Sequence, residues 1–146
     1  MKLSAFFFLS VFGVVSFSAC KDDAPSTPTD FLTNGVWNIV ELWEDHGNDG
    51  DPYEEEDNEI DGCVGDDSFT FSKNGTLTID HGITICSFDE PSAETAAWWL
   101  SDDAKLLAFL QAGNADTINV ISLTNNRMEL HEIEDGRIEM VVVLEK

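Results

Sequence analysis

Residues 69–77 read Phe69-Thr70-Phe71-Ser72-Lys73-Asn74-Gly75-Thr76-Leu77. Phe69 and Phe71 alternate with polar residues, so a strand over 68–72 puts both rings on one face. Lys73-Asn74-Gly75 is a turn in which Asn-Gly supplies the positive φ values of a hairpin. The chain then pairs back over 76–80, with Leu77 and Ile79 inward. One antiparallel hairpin is therefore fixed by nine residues.

The same punctuation repeats on both sides. A strand is expected over 36–43 and another over 96–100, followed by a turn at 101–105. Strands over 106–110, 117–123, 127–133 and 137–145 follow, separated by turns at 112–116, 124–126 and 134–136. In the last strand Ile138, Met140, Val142 and Leu144 share one face. No long helical period interrupts the series. About eight sequential antiparallel strands fold into a sandwich or close into an up-and-down barrel. Closure is favoured because it removes exposed strand edges.

Gly35-Val36-Trp37 resembles the G-x-W signature of lipocalins. The 69–77 hairpin resembles the F-x-F-x-x-x-G-T hairpin of lipocalin-like lipoproteins of Bacteroidetes. Trp99-Leu100-Ser101-Asp102-Asp103, followed by Leu106-Leu107, resembles their W-x-L-S-x-D-x-x-x-L turn. The resemblance spans about residues 32–146 and implies an all-β, lipocalin-like (calycin-like) barrel. It implies that Trp37 plugs one end of the barrel, in a structural role. It also implies an arginine from a late strand over that ring, with Arg127 and Arg137 as candidates.

The N-terminus bounds location. Met1-Lys2 is a minimal positive segment, 3–17 is an apolar run, and Ser18-Ala19 precede Cys20. This is the layout of a secretory signal. It resembles a bacterial lipoprotein processing site, with Phe17 where an aliphatic residue usually stands. Residues 1–19 are then a signal peptide and Cys20 carries the lipid. Lys21-Asp22-Asp23 resembles the surface-export signal of Bacteroidetes lipoproteins. The expected location is the outer membrane, lipid-anchored and exposed at the cell surface. Residues 20–31 are expected to form a flexible linker, since 24–30 read APSTPTD, and 32–146 the barrel domain.

The chain has 146 residues, 7 Lys+Arg against 29 Asp+Glu, and a net charge of −22. Nucleic acid is excluded as a partner class, because phosphate binding needs clusters of Lys and Arg. With Cys20 lipidated, Cys63 and Cys86 remain as an even pair and are expected to form a disulfide in an oxidising compartment.

Residues 45–56 read DHGNDGDPYEEE. Asp45, Asp49, Asp51 and Glu56, with Gly50 at the sixth position, approximate a calcium loop. Gly47 offers no ligand at the third position, and Pro52 stands where an aliphatic residue is usual. Residues 22–72 hold sixteen acids and no Lys or Arg, a self-repulsion that cations relieve. Ca²⁺ is thus a candidate ligand of a loop that otherwise reads as solvated charge.

Recognised catalytic patterns are absent. There is no nucleophile elbow and no phosphate-binding glycine loop. His46, His81 and His131 are scattered, with His131 expected at the surface beside Glu129. A non-enzyme is expected. Trp43, Trp98 and Trp99 are candidate ligand contacts, because exposed indoles stack on sugars. Adjacent Trp98 and Trp99 point to opposite faces of one strand, so one is expected inside and one outside. The expected function is a binding module for a small apolar or glycan-derived ligand. The alternatives are an interaction protein with a packed barrel whose loops meet a surface protein partner, and calcium-dependent surface attachment.

Overall fold

The computed structural model describes residues 27–47, 49–54, 60, 62–84 and 91–146. Residues 1–19, expected as a signal peptide, lie outside them, as do Cys20, Glu56 and Cys86. Among the described residues no helix is long and apolar enough to cross a membrane.

Eight antiparallel strands close into a barrel in chain order. They are β1 (Trp37–Glu44), β2 (Ser68–Phe71), β3 (Thr76–Asp80), β4 (Ala93–Leu100), β5 (Leu106–Gln111), β6 (Asn114–Leu123), β7 (Arg127–Glu134) and β8 (Arg137–Glu145). β8 returns to β1, with Leu42 opposite Val142 and Trp43 opposite Val141. Every strand therefore has two neighbours, and no edge is left to aggregate. The closing seam is uneven. β1 and β2 pair only through Trp37–Phe69 and Asn38–Ser68, while the rest of β1 leads into the long connection.

The deciding hairpin forms where expected, with a different turn. Gly75 alone takes a positive φ, at +83°. Ser72 N–H bonds Thr76 O at 2.8 Å and Gly75 N–H bonds Ser72 O at 3.0 Å. This is a three-residue loop ending in a left-handed glycine. Asn74 contributes by its side chain, whose Oδ1 accepts from Thr76 N–H at 3.0 Å. Two-residue turns with both φ values positive occur instead at Asp135-Gly136, φ 51° and 82°, and at Ala112-Gly113, φ 50° and 90°. The latter lets β6 start at Asn114, so the turn expected over 112–116 is mostly strand. Its polar residues are strand positions at the rim of the barrel.

The largest departure lies at the start. A helix, α1 (Pro28–Thr33), occupies part of the expected linker. Thr27 caps it by accepting from Asp30 N–H at 3.1 Å, and proline at the first turn costs no hydrogen bond. Leu32 is fully buried. The helix thus packs with the barrel through Leu32.

The core runs down the barrel axis through Trp37, Phe71, Leu77, Trp98, Leu107 and Met128. The β2–β3, β4–β5 and β6–β7 turns and α1 gather at one end. β1 and β3 end at the other, where β2 and β4 begin, with the β5–β6 and β7–β8 turns.

Candidate functional site

One end of the barrel is sealed. Trp37 is completely buried, and its indole N–H donates to Leu32 O at 2.9 Å. α1 therefore holds the ring in place, as a plug requires. The cation over the ring is Lys146, whose Nζ lies 4.5 Å from its centroid. The arginine candidates are engaged elsewhere. Arg127 bonds Glu145 at 2.5 Å and Glu41 at 3.0 Å, bridging β7 to β1 across β8. These two carboxylates, Glu41 first, raise the guanidinium above its usual range. Arg137 lies on the outer wall, 3.4 Å from Glu139. Lys146 is the chain's last residue, and no motif marks it as the ring's partner.

Toward the other end the interior is hollow. A cavity of about 390 Å³ lies among Leu42, Phe71, Leu77, Met128, Leu130 and Val142. That volume falls within the range of about 300–1,000 Å³ typical of small-molecule sites. Gln111 and Asp116 are its polar wall residues. Asp116 faces Phe109 across the β5–β6 ladder, and Phe109 is also on the wall. Glu94 occupies the same level on β4, opposite Ile79, and accepts a short hydrogen bond from the Gln111 amide. Glu94, Gln111 and Asp116 are thus inward positions at the mouth. The sequence reading missed all three, because two of them lay in stretches read as turn or loop.

The three candidate tryptophans are not on this wall. Trp98 points inward at the sealed end, 7% exposed, and Trp99 points outward, 49% exposed. Their opposed directions agree with the strand periodicity. Trp98 packs edge-on to Phe71, with centroids 5.3 Å apart, and its N–H bonds Ser72 O at 3.1 Å. Trp99 shares the outer face of β4 and β5 with exposed Leu106 and Leu110. Trp43 lies on the outer face of β1, with its ring 6.0 Å from that of Tyr53.

Tyr53 belongs to a short 3-10 turn, Pro52–Glu54, that packs on β1 and β8. Pro52 is fully buried. The residue that departs from the calcium-loop pattern thus anchors the acidic connection to the barrel's outer wall. Beneath it Val141 and Val143 are buried, as is His131 on β7. His131 faces outward as expected, yet it is covered, with Nε2 2.9 Å from Glu129 Oε1. Burial and the nearby Glu129 and Glu41 carboxylates push the Tyr53 hydroxyl above its usual 10.0.

Asp45, Asp49 and Asp51 spend their carboxylates on the loop's own backbone. Buried Asp45 accepts from Gly50 N–H at 2.6 Å and from Asp49 N–H at 3.3 Å. Asp49 accepts from Asp51 N–H at 3.0 Å and Asp51 from Tyr53 N–H at 3.2 Å. Among the described residues no three His, Cys, Asp or Glu side chains converge on a metal position. Glu56, the expected bidentate ligand, lies outside them.

The two long connections are tied together at Asp66. Its Oδ2 accepts from Ile83 N–H at 2.9 Å and Thr84 N–H at 3.1 Å. The Ile83 bond leads in holding this carboxyl below its usual 3.8. Gly82, with φ +63°, passes so close that a Cβ would stand 2.5 Å from the Asp66 carboxylate. His81 Nδ1 lies 3.2 Å from Asp67 Oδ2. Cys63, in the same region, is disulfide-bonded. Its expected partner Cys86 lies outside the described residues.

The sequence matches the family model of the lipocalin-like domain over residues 33–130. The structure is similar to the crystal structure of a lipocalin-like protein from Bacteroides uniformis, with a TM-score of 0.52 at 13% identity. That similarity covers 80% of this chain and 98% of the other. No curated protein matches the chain.

Proposed function

Taking as premise that this chain belongs to the lipocalin-like domain family, we propose that it is a non-enzymatic module binding a small apolar molecule inside its barrel. The observation that carries this reading is the apolar cavity of about 390 Å³, plugged behind by Trp37 and reached past Gln111 and Asp116. Fold alone does not assign a function; the cavity adds a place for a ligand. An apolar ligand gains by leaving water for such a wall. The test is titration with an apolar fluorescent dye, repeated with Ala96→Phe, which fills the wall at β4. Binding lost in a variant that still melts cooperatively supports the reading. Unchanged binding overturns it.

In the same reading the module is a lipoprotein of the outer membrane, carried by Cys20 and displayed on the cell surface. The signal-like N-terminus, the cysteine after Ser18-Ala19 and the following Lys21-Asp22-Asp23 support it. Fractionation of Cys20→Ser tests the anchor, because membrane attachment unchanged by the substitution contradicts it.

A second reading has one observation behind it. Trp99, Leu106 and Leu110 are exposed together on the outer face of β4 and β5. A small apolar patch of this kind suits a protein partner or a stacked sugar ring.

A further inference from the structure

We infer that the cavity selects ligands with an apolar body and a cationic or hydrogen-bond-donating head, and rejects those with a carboxylate head. The inference rests on the cavity being a binding site and names the class of molecule it takes. Its first support is the wall itself. The side chains around the cavity are apolar except for Gln111 and Asp116, with no Lys, Arg or His among them. Glu94 is held to Gln111 at the same level. An inserted molecule therefore meets carboxylates from β4 and β6 where its end reaches the mouth.

The second support is the distribution of charge along the barrel. Lys73, Lys105, Arg127 and Lys146 belong to the turns and strand ends at the sealed end. At the mouth end Arg137 stands on the outer wall beside Glu139. Among the described residues that leave β1 and enter β2, Asp45, Asp49, Asp51, Asp66 and Asp67 are acidic and none is Lys or Arg. A mouth whose charged groups, Glu94 and Asp116, share one sign over low-dielectric walls concentrates the opposite ion. An ammonium head would pair with Asp116 or Glu94 at the rim. A carboxylate head would instead meet like charge from Asp116 and Glu94, which disfavours its ionised form there.

The experiment compares dodecylamine, dodecanol and dodecanoate at neutral pH by isothermal titration calorimetry, each as a free monomer in solution. The expected result is binding of the amine about tenfold or more tighter than that of the acid, the scale of one charge-assisted hydrogen bond. The alcohol falls between them. The amine's advantage should collapse in Asp116→Asn combined with Glu94→Gln. Both positions lie at the rim, where loss of charge leaves the core intact. Equal or tighter binding of the acid overturns the inference and leaves the cavity reading standing. Failure of all three to bind overturns both. An amine advantage that survives the double substitution marks adsorption to the acidic surface and overturns the inference as well.

Discussion

Lys146 stands over Trp37, with Nζ 4.5 Å from the ring centroid and 2.7 Å from Phe31 O, to which it donates. The last residue of the chain thereby clips α1 to the plug. Burial pushes this ammonium below its usual 10.5, so the position holds its charge against a desolvation cost. Lys146→Met keeps the stem and removes the charge. It should cost about 1 kcal/mol, from the cation–π contact and the hydrogen bond to the carbonyl. Trp37→Ala should cost about 3–5 kcal/mol, the usual range for a buried indole. Urea unfolding of both variants reads the difference, and equal losses would deny Lys146 its subsidiary place.

Trp98 and Trp99 separate packing from surface chemistry within one dipeptide. Trp98→Ala should lose about 3–5 kcal/mol, because it removes the edge-on contact with Phe71 as well as buried area. Trp99→Ala should lose about 1 kcal/mol or less, since half of that residue is already in water. If Trp99→Ala proves as damaging as Trp98→Ala, the outer face of β4 is structural and the patch reading falls.

Periodicity carried most of the fold, and particular residues show where it stopped. The hairpin at 69–77 is legible because alternation and Asn-Gly act over a few residues. The opposed directions of Trp98 and Trp99 follow from the same period. α1 was legible in principle: Thr27, Pro28 and Asp30 form a cap, a helix start and an acid in the first turn. A Pro/Ser/Thr-rich composition masked them. The burial of Pro52 was not legible, because an acidic run gives no hint of the wall it meets. Lys146 over Trp37 is a contact between chain positions far apart. The cavity lies where β1 and β2 pair through only two positions, in a barrel with bulges in β1, β6 and β8, which no local pattern encodes.

Asp45 separates a loop built by hydrogen bonds from a loop built by an ion. Asp45→Ala strands two backbone N–H groups, at Asp49 and Gly50, and should cost about 1–3 kcal/mol in EDTA. An ion site adds a second signature, a rise in the melting temperature of the parent protein in millimolar Ca²⁺ that Asp45→Ala abolishes. The measurement is thermal unfolding of both proteins with Ca²⁺ and with EDTA. An Asp45→Ala variant as stable as the parent in EDTA would remove the hydrogen-bonded account of the loop.

Asp66 predicts an acid limb. Its carboxyl titrates below 3.8 in the folded protein because it accepts the Ile83 and Thr84 N–H groups. A depressed folded value means that its contribution is complete above the unfolded value. The contribution is then lost as pH falls through the folded value. Asp66→Asn keeps the shape and one oxygen but cannot titrate, so the parent's advantage over it should shrink from pH 5 toward pH 2. Gly82→Ala should be harsher and independent of pH, since its Cβ would meet the carboxylate whatever its charge. A parent advantage that is constant across the acid range would exclude the linkage.

The same two connections offer a coupled test of the disulfide. Asp66 joins residues 62–67 to 81–84 by hydrogen bonds, and a Cys63–Cys86 bridge would join them covalently a few residues away. Such a bridge closes a 24-residue loop and contributes roughly 3.5 kcal/mol in the chain-entropy account. Restraints on one pair of segments are not independent, since neighbouring sites couple. With the bridge intact, Asp66→Asn lets the 81–84 segment move only as far as the crosslink allows. With Cys63→Ser and Cys86→Ser, the Asp66 bonds and the His81–Asp67 contact become the remaining ties described between them. The expected result is a loss from Asp66→Asn at least 0.5 kcal/mol larger in the cysteine-free background, about the lower bound for coupled neighbours. Peptide mapping without reductant checks the partner of Cys63. A linked peptide carrying Cys86 and a positive coupling energy together establish the two-part clasp, whereas additive losses would show that bridge and carboxylate hold different parts of the loops.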